Sequence, residues 1–240
     1  MDAGGKVDKP SIFEALLTPA DGYVVPTPDQ IKDEAYSILA AAADTTGNAM
    51  TVAAYNVVIN PDIYKILVDE LEAAFPNEDE PLNYIKLEKL PYLTAVIKEG
   101  LRLSFGVPGR LARQVPEPGA IFNGVHVPAG YFVSMSSWTM HQHEDYFPDP
   151  RKFDPTRWLD PQEAHRIDKA FIPFSKGSRG CVGINLAYCE LYVSLGTMFR
   201  RFKNLKANNL TEADLEYDDY FSSYHPPGST KFHVMRADKA

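Results

Sequence analysis

The run Phe174-Ser175-Lys176-Gly177-Ser178-Arg179-Gly180-Cys181-Val182-Gly183 sets a cysteine just ahead of an apolar-periodic helical segment. A cysteine ligates metal only as its thiolate, and that anion is favoured at a helix N-terminus, where unpaired N–H groups and the helix dipole point at the sulfur. Cys181 is therefore the candidate ligand of a metal centre. Gly177, Gly180 and Gly183 let the backbone pass close to a flat ligand, and Arg179 offers a fork of donors for a carboxylate on it. Cys189, inside the helical pattern that follows, reads instead as a small buried hydrophobe.

Three further groups of residues can do chemistry or hold it in place. Ala41-Ala42-Ala43-Asp44-Thr45-Thr46 places a carboxylate beside a hydroxyl within a long helical pattern, a pairing able to pass protons from water. Glu99 and Arg102, three residues apart, share one face of a predicted helix. Phe153-Asp154-Pro155-Thr156-Arg157-Trp158 brings a second arginine, and Val107-Pro108-Gly109-Arg110-Leu111-Ala112-Arg113 a third and fourth. His141-Gln142-His143 lacks a third ligand signal and reads as surface or hydrogen-bonded residues, so no metal is assigned there.

The elements that must position these groups are mostly helices. Thr27-Pro28-Asp29-Gln30 is a capping box with proline at the first helical position, and apolar spacing then runs to Ile59. Asn60-Pro61 is expected to stop that helix and cap the next. Another helix is expected from Tyr92 to Ser104, and a long amphipathic one after the Cys181 loop. Between them, short runs at Val115, Ile121-Phe122, Val125 to Val127 and Tyr131 to Val133 read as small antiparallel strands. Weaker strand signals lie at 216–221 and 230–234. Residues 1–26 read as an irregular tail and 27–240 as one portion of a single domain.

Composition narrows the classes. The 240 residues carry a formal net charge of -8, which argues against a nucleic-acid partner, since phosphate binding needs clustered cations. Two cysteines exclude a disulfide framework and suit a cytosol-facing setting. The most apolar stretch, 35–59, is broken by Asp44, Thr45, Thr46, Asn48 and Asn56 and reads as a core helix rather than a membrane span.

Together these motifs resemble the cytochrome P-450 family, whose heme loop reads F-x-x-G-x-R-x-C-x-G, with every fixed position present here in order. The wording from Leu90 to Phe202 looks most like filamentous-fungal, trichodiene-oxygenase-like members. The resemblance implies a mostly α fold with a minor antiparallel β part, the C-terminal half of that family's fold. It implies heme b with Cys181 as axial ligand, framed by Phe174, Gly177 and Gly183. Arg179 and Arg113 would reach its propionates, Arg110 being the alternative to Arg113. Asp44 and Thr45 would guide protons, and Glu99, Arg102 and Arg157 would form a buried structural cluster. Three positions depart from the family pattern: Ala42 stands for a glycine, Thr156 for a glutamate and Trp158 for a phenylalanine.

The implied activity is a heme-thiolate monooxygenase acting on an apolar small molecule such as a terpenoid or polyketide. Electrons would come from NADPH through a reductase docked near Lys176, Arg200, Arg201 and Lys203. Two alternatives stand beside it: a truncated, non-catalytic fragment that binds heme weakly or not at all, and a peroxide-using or isomerising heme-thiolate protein. Full-length relatives are about twice as long and anchored in the endoplasmic-reticulum membrane, whereas no leader or anchor is read in this chain.

Overall fold

The computed structural model describes residues 11–208, 215–224 and 233–236. The strand signal expected at 230–232 lies outside them. The chain divides into two compact units, 1–43 and 44–240. In the first, a helix α1 (Ile12–Leu17) stands within the stretch read as irregular, opened by Ser11, whose Oγ accepts from the Glu14 N–H at 3.1 Å. The long helix α2 (Pro28–Ile59) starts at the capping box, in which Thr27 N–H donates to Gln30 Oε1 at 2.8 Å and Gln30 N–H to Thr27 Oγ1 at 3.4 Å.

Unit 44–240 holds a single apolar core. Its walls are the second half of α2, α3 (Pro61–Ala74), α5 (Pro91–Ser104) and α8 (Ile184–Arg201), with the short α4 (Tyr84–Leu87) against α8. Leu67 and Leu71 of α3, Leu93, Val96 and Ile97 of α5, and Leu191, Leu195 and Phe199 of α8 meet Ala49, Ala53 and Val57 of α2. The small residues on α2 matter for spacing. A Cβ at Gly100 of α5 would lie 2.7 Å from Ala53 Cβ and 3.3 Å from Ala49 O, so the two helices cross at a separation only glycine allows. That close crossing fixes the Asp44-Thr45 helix against the Glu99-Arg102 helix.

Asn60 occupies the residue before α3 but does not cap it. Its side-chain amide donates back to Asn56 O at 2.7 Å, and Pro61 supplies the helix start instead.

Among the described residues the β part is four two-stranded antiparallel ladders. The first strand lies earlier than the run around Val115: β1 (Leu111–Gln114) carries Arg113 and pairs with β4 (Phe132–Met135), Arg113 opposite Val133. Val115 follows as a buried residue whose N–H donates to Tyr131 O. β2 (Ala120–Phe122) and β3 (Val125–Val127) form a hairpin through Asn123-Gly124, both at positive φ as a tight hairpin turn requires. β6 (Asp218–Tyr220) pairs with β7 (Ser222–Tyr224), and β5 (Leu205–Asn208) with β8 (His233–Arg236). Between β4 and α8 come α6 (Ser137–His141), a 3-10 turn (Pro155–Trp158) and α7 (Pro161–Asp168).

Candidate active site

The Cys181 loop is shaped by its own backbone. Ser175 and Gly177 take positive φ, 61° and 81°, and two N–H groups turn inward, Gly180 to Gly177 O at 3.0 Å and Cys181 to Phe174 O at 2.9 Å. The second bond closes the loop at its base and leaves the cysteine side chain exposed. Gly183 is the cap residue of α8 and gives no side-chain cap, so the first N–H groups of an 18-residue helix face the stretch that carries Cys181. A Cβ at Gly183 would stand 3.8 Å from Cys181 Sγ, and glycine keeps that side of the sulfur open. The Phe174 ring packs at 5.3 Å on Tyr188 of α8, whose buried phenol is pushed well above the ordinary tyrosine range by loss of solvent.

These residues fit a heme. A soft sulfur donor stands exposed, and beside it Val182 is fully solvent-exposed and Ile184 and Leu186 partly so, an apolar rim suited to a flat apolar ring. Arg179 in the loop and Arg113 on β1 are exposed, and among the described residues neither forms a salt bridge. Arg113 Nη1 donates to Ala112 O at 2.9 Å.

Glu99 and Arg102 of α5 build a closed cluster. Glu99 is fully buried and takes five donors: Arg102 Nη2 at 2.7 Å, Asp154 N at 3.0 Å and Arg157 Nε at 3.3 Å on Oε1, and Arg102 Nε at 2.9 Å and Trp158 Nε1 at 3.0 Å on Oε2. Arg102 reaches onward to His141 O at 3.0 Å and, within the proline-rich meander 147–161, to Pro150 O at 2.5 Å and Lys152 O at 3.0 Å, so one guanidinium ties these carbonyls to α5. Arg157 adds Asp149 O at 3.1 Å. The tryptophan at 158 supplies an indole N–H that phenylalanine lacks, and that N–H fills an acceptor site on the buried carboxylate. Thr156 hydrogen-bonds Asp154 within the 3-10 turn, leaving Glu99 as the carboxylate of the cluster.

His141 is the member that sequence reasoning missed. It is fully buried; its Nδ1 faces Arg102 O at 2.9 Å and its Nε2 faces the Ile172 N–H at 3.0 Å, partners that fix the tautomer with the proton on Nδ1. Burial lowers its pKa to about 4, and the Arg102 charge pushes the same way. The ring therefore joins α5 to the strand of chain entering the Cys181 loop. The available signal was its place on an apolar segment, Trp138 to His141; His143, by contrast, is exposed.

On α2 the polar residues grade inward. Asp44 is exposed, Thr45 half-buried and Thr46 buried, and Ala42 is half-buried. The cationic run at the end of α8 needs a correction. Arg200 is 3% exposed; its Nε donates to Phe75 O at 2.7 Å and its Nη2 to Pro76 O at 3.1 Å, so it closes the C-terminal end of α3 and is withdrawn from any docking surface. Arg201 donates to Glu80 O, Lys203 pairs with Glu72 at 3.3 Å, and Lys176 donates to Lys169 O. Cys189 is partly rather than fully buried.

The cytochrome P-450 family model matches residues 14–232, and the chain belongs to that family. It is 42% identical over 222 residues to the cytochrome P-450 monooxygenase macH of Penicillium terrestre, covering 90% of this chain and 43% of that protein. It is 40% identical to the N-acetyltryptophan 6-hydroxylase ivoC of Emericella nidulans, covering 100% of this chain and 48% of the relative. A tryptophan 6-hydroxylase of Fusarium equiseti is 41% identical over 195 residues, 81% of this chain and 38% of its own length. The chain thus spans less than half the length of these curated relatives. A crystal structure of a cytochrome P-450 superposes with a TM-score of 0.82 at 23% identity, over 97% of this chain and 52% of that one, which establishes the fold. Among the described residues no helix is long and apolar enough to cross a membrane.

Proposed function

We propose that this chain is the heme-thiolate portion of a monooxygenase that inserts one oxygen atom of O2 into an apolar small molecule of fungal secondary metabolism. The observation that carries the reading is the exposed Cys181 thiol ahead of α8, with its backbone N–H bound to Phe174 O and apolar side chains around it. Heme bound there would supply dioxygen chemistry, with the thiolate pushing electron density that favours O–O cleavage. The α8 N–H groups would stabilise the thiolate, and Arg179 and Arg113 would hold the propionates. Asp44, exposed, takes protons from water and Thr45 passes them inward along α2. Glu99, Arg102 and Arg157 keep the meander and the Cys181 loop at fixed separation from α5. Electrons come from NADPH through a reductase, for which Lys176 and Lys203 are exposed and Arg201 is half-buried.

For substrate, the relatives named for tryptophan and N-acetyltryptophan 6-hydroxylation make indoles the first probes, beside terpenoid and polyketide compounds. A second reading is favoured by one observation. Phe132, Met135 and Val182 are large apolar side chains left on the surface, so the chain as it stands would hold heme without enclosing a substrate. The test is the spectrum of the purified, heme-loaded chain, reduced and exposed to carbon monoxide. A strongly red-shifted Soret band that disappears in Cys181→Ala supports thiolate ligation, and turnover of the probes separates the enzyme from the heme-holding fragment. A band that survives in Cys181→Ala rules the reading out.

A further inference from the structure

We propose that Asn48 is a third polar member of the α2 proton path, a positioning residue that anchors a water next to the Asp44-Thr45 pair; this rests on the oxygen chemistry proposed above. Three observations on α2 carry it. Asn48 follows Asp44 by four residues and Thr45 by three, so the three side chains share one face of the helix. Going along them, exposure falls from Asp44 at the surface to Asn48, whose Oδ1 is buried and has no hydrogen-bond donor among the described residues. And Asn48 behaves unlike the asparagines that follow it: Asn56 and Asn60 donate to carbonyls four residues back, at 2.9 and 2.7 Å, whereas Asn48 Nδ2 reaches across to Ser104 O at the end of α5.

That reach fixes the amide. A carbonyl can only accept, so the NH2 group must face Ser104 and the oxygen must face away from it. The bond so gained is long, 3.4 Å, a weak tie for a polar residue in this position. A buried acceptor is normally met by protein or by an ordered water, and a water has two protons to give. One O–H of that water binds Asn48 Oδ1. Its other proton is available for transfer inward, and a proton from the Asp44 carboxyl replaces it, Asp44 recovering its own from bulk water. Proton count is conserved and no electrons move. Ser104 O belongs to the turn that leads into Phe105–Pro108, itself held by Ser136 and Ser137 hydroxyls on Pro108 O, Phe105 O and Val107 O, so the anchor stands on a fixed base.

Two measurements decide it. A high-resolution crystal structure of the chain is expected to show an ordered water on Asn48 Oδ1; a dry oxygen, or one taken by a protein donor, overturns the proposal whether or not heme is bound. In the reduced carbon monoxide complex, the C–O stretch is expected to shift between H2O and D2O. Asn48→Ala abolishes that shift and Asn48→Asp, which keeps the acceptor and loses the donor, restores it. If both variants lose the shift, the tie to Ser104 was the function and the proposal fails; if both keep it, Asn48 anchors nothing. Absence of a thiolate-type band in the parent chain would instead remove the monooxygenase reading, leaving the crystallographic water to decide Asn48.

Discussion

The Glu99 cluster and the Cys181 loop handle polar groups in opposite ways. Around Glu99 polar groups are met internally: five bonds on one carboxylate, three backbone carbonyls on Arg102, both ring nitrogens of His141. Around Cys181 the thiol is exposed and, among the described residues, no side chain caps the head of α8 and Arg179 and Arg113 pair with no carboxylate. A saturated buried network is rigid because losing any partner strands another in low dielectric. An open site costs little to alter but has its chemistry free for a ligand. In the function proposed above, the closed region would hold the geometry in which the open one works.

Mutation should separate the two sharply. The largest effect expected is Cys181→Ala, which removes the red-shifted carbon monoxide band altogether while leaving the urea midpoint of the apo chain near that of the parent; a large loss of stability would break the contrast. Glu99→Ala strands Arg102 and most of Arg157, and a loss on the order of 3 kcal/mol or more is expected in urea unfolding. Retained stability there would show that the cluster is not what holds the meander.

His141 gives the comparison a pH axis. Its folded pKa of about 4 lies below the ordinary 6.5, so the unfolded chain binds more protons between those values. Stability contributed by the neutral ring is complete above about pH 6.5 and falls as pH drops toward 4, by up to about 3 kcal/mol. Unfolding free energies from pH 7 to 4 should flatten in His141→Asn relative to the parent, and identical slopes would count against it. Gly100→Val should cost about 1–3 kcal/mol by forcing α2 and α5 apart, measured as a lowered Tm. Smallest of all, Val182→Ser on the exposed rim should move stability by less than about 0.5 kcal/mol while weakening retention of heme in a transfer assay.

Much of this was legible in residue order. The capping box set the start of α2, and the glycines with Cys181 marked a loop ahead of a helix; spacing put Glu99 and Arg102 on one face. Those features depend on neighbours within a few positions, where local geometry decides. His141 and Trp158 were not legible as cluster members, since their partners lie 39 and 59 residues away, and a histidine or an indole carries no local sign of which buried atom it will meet. Arg200 was misread for the same reason: a cation in the last turn of a helix suits the dipole in water, but here the end of α3 happens to lie across it. Asn60 looked like a cap and bonded backwards.

The sequence alone determined the long helices, the glycine-rich cysteine loop and the family, because propensity, capping and motif spacing act over short stretches. Only the tertiary structure decided which polar groups are saturated and which are left open, since burial and hydrogen-bond satisfaction belong to atoms brought together from distant parts of the chain.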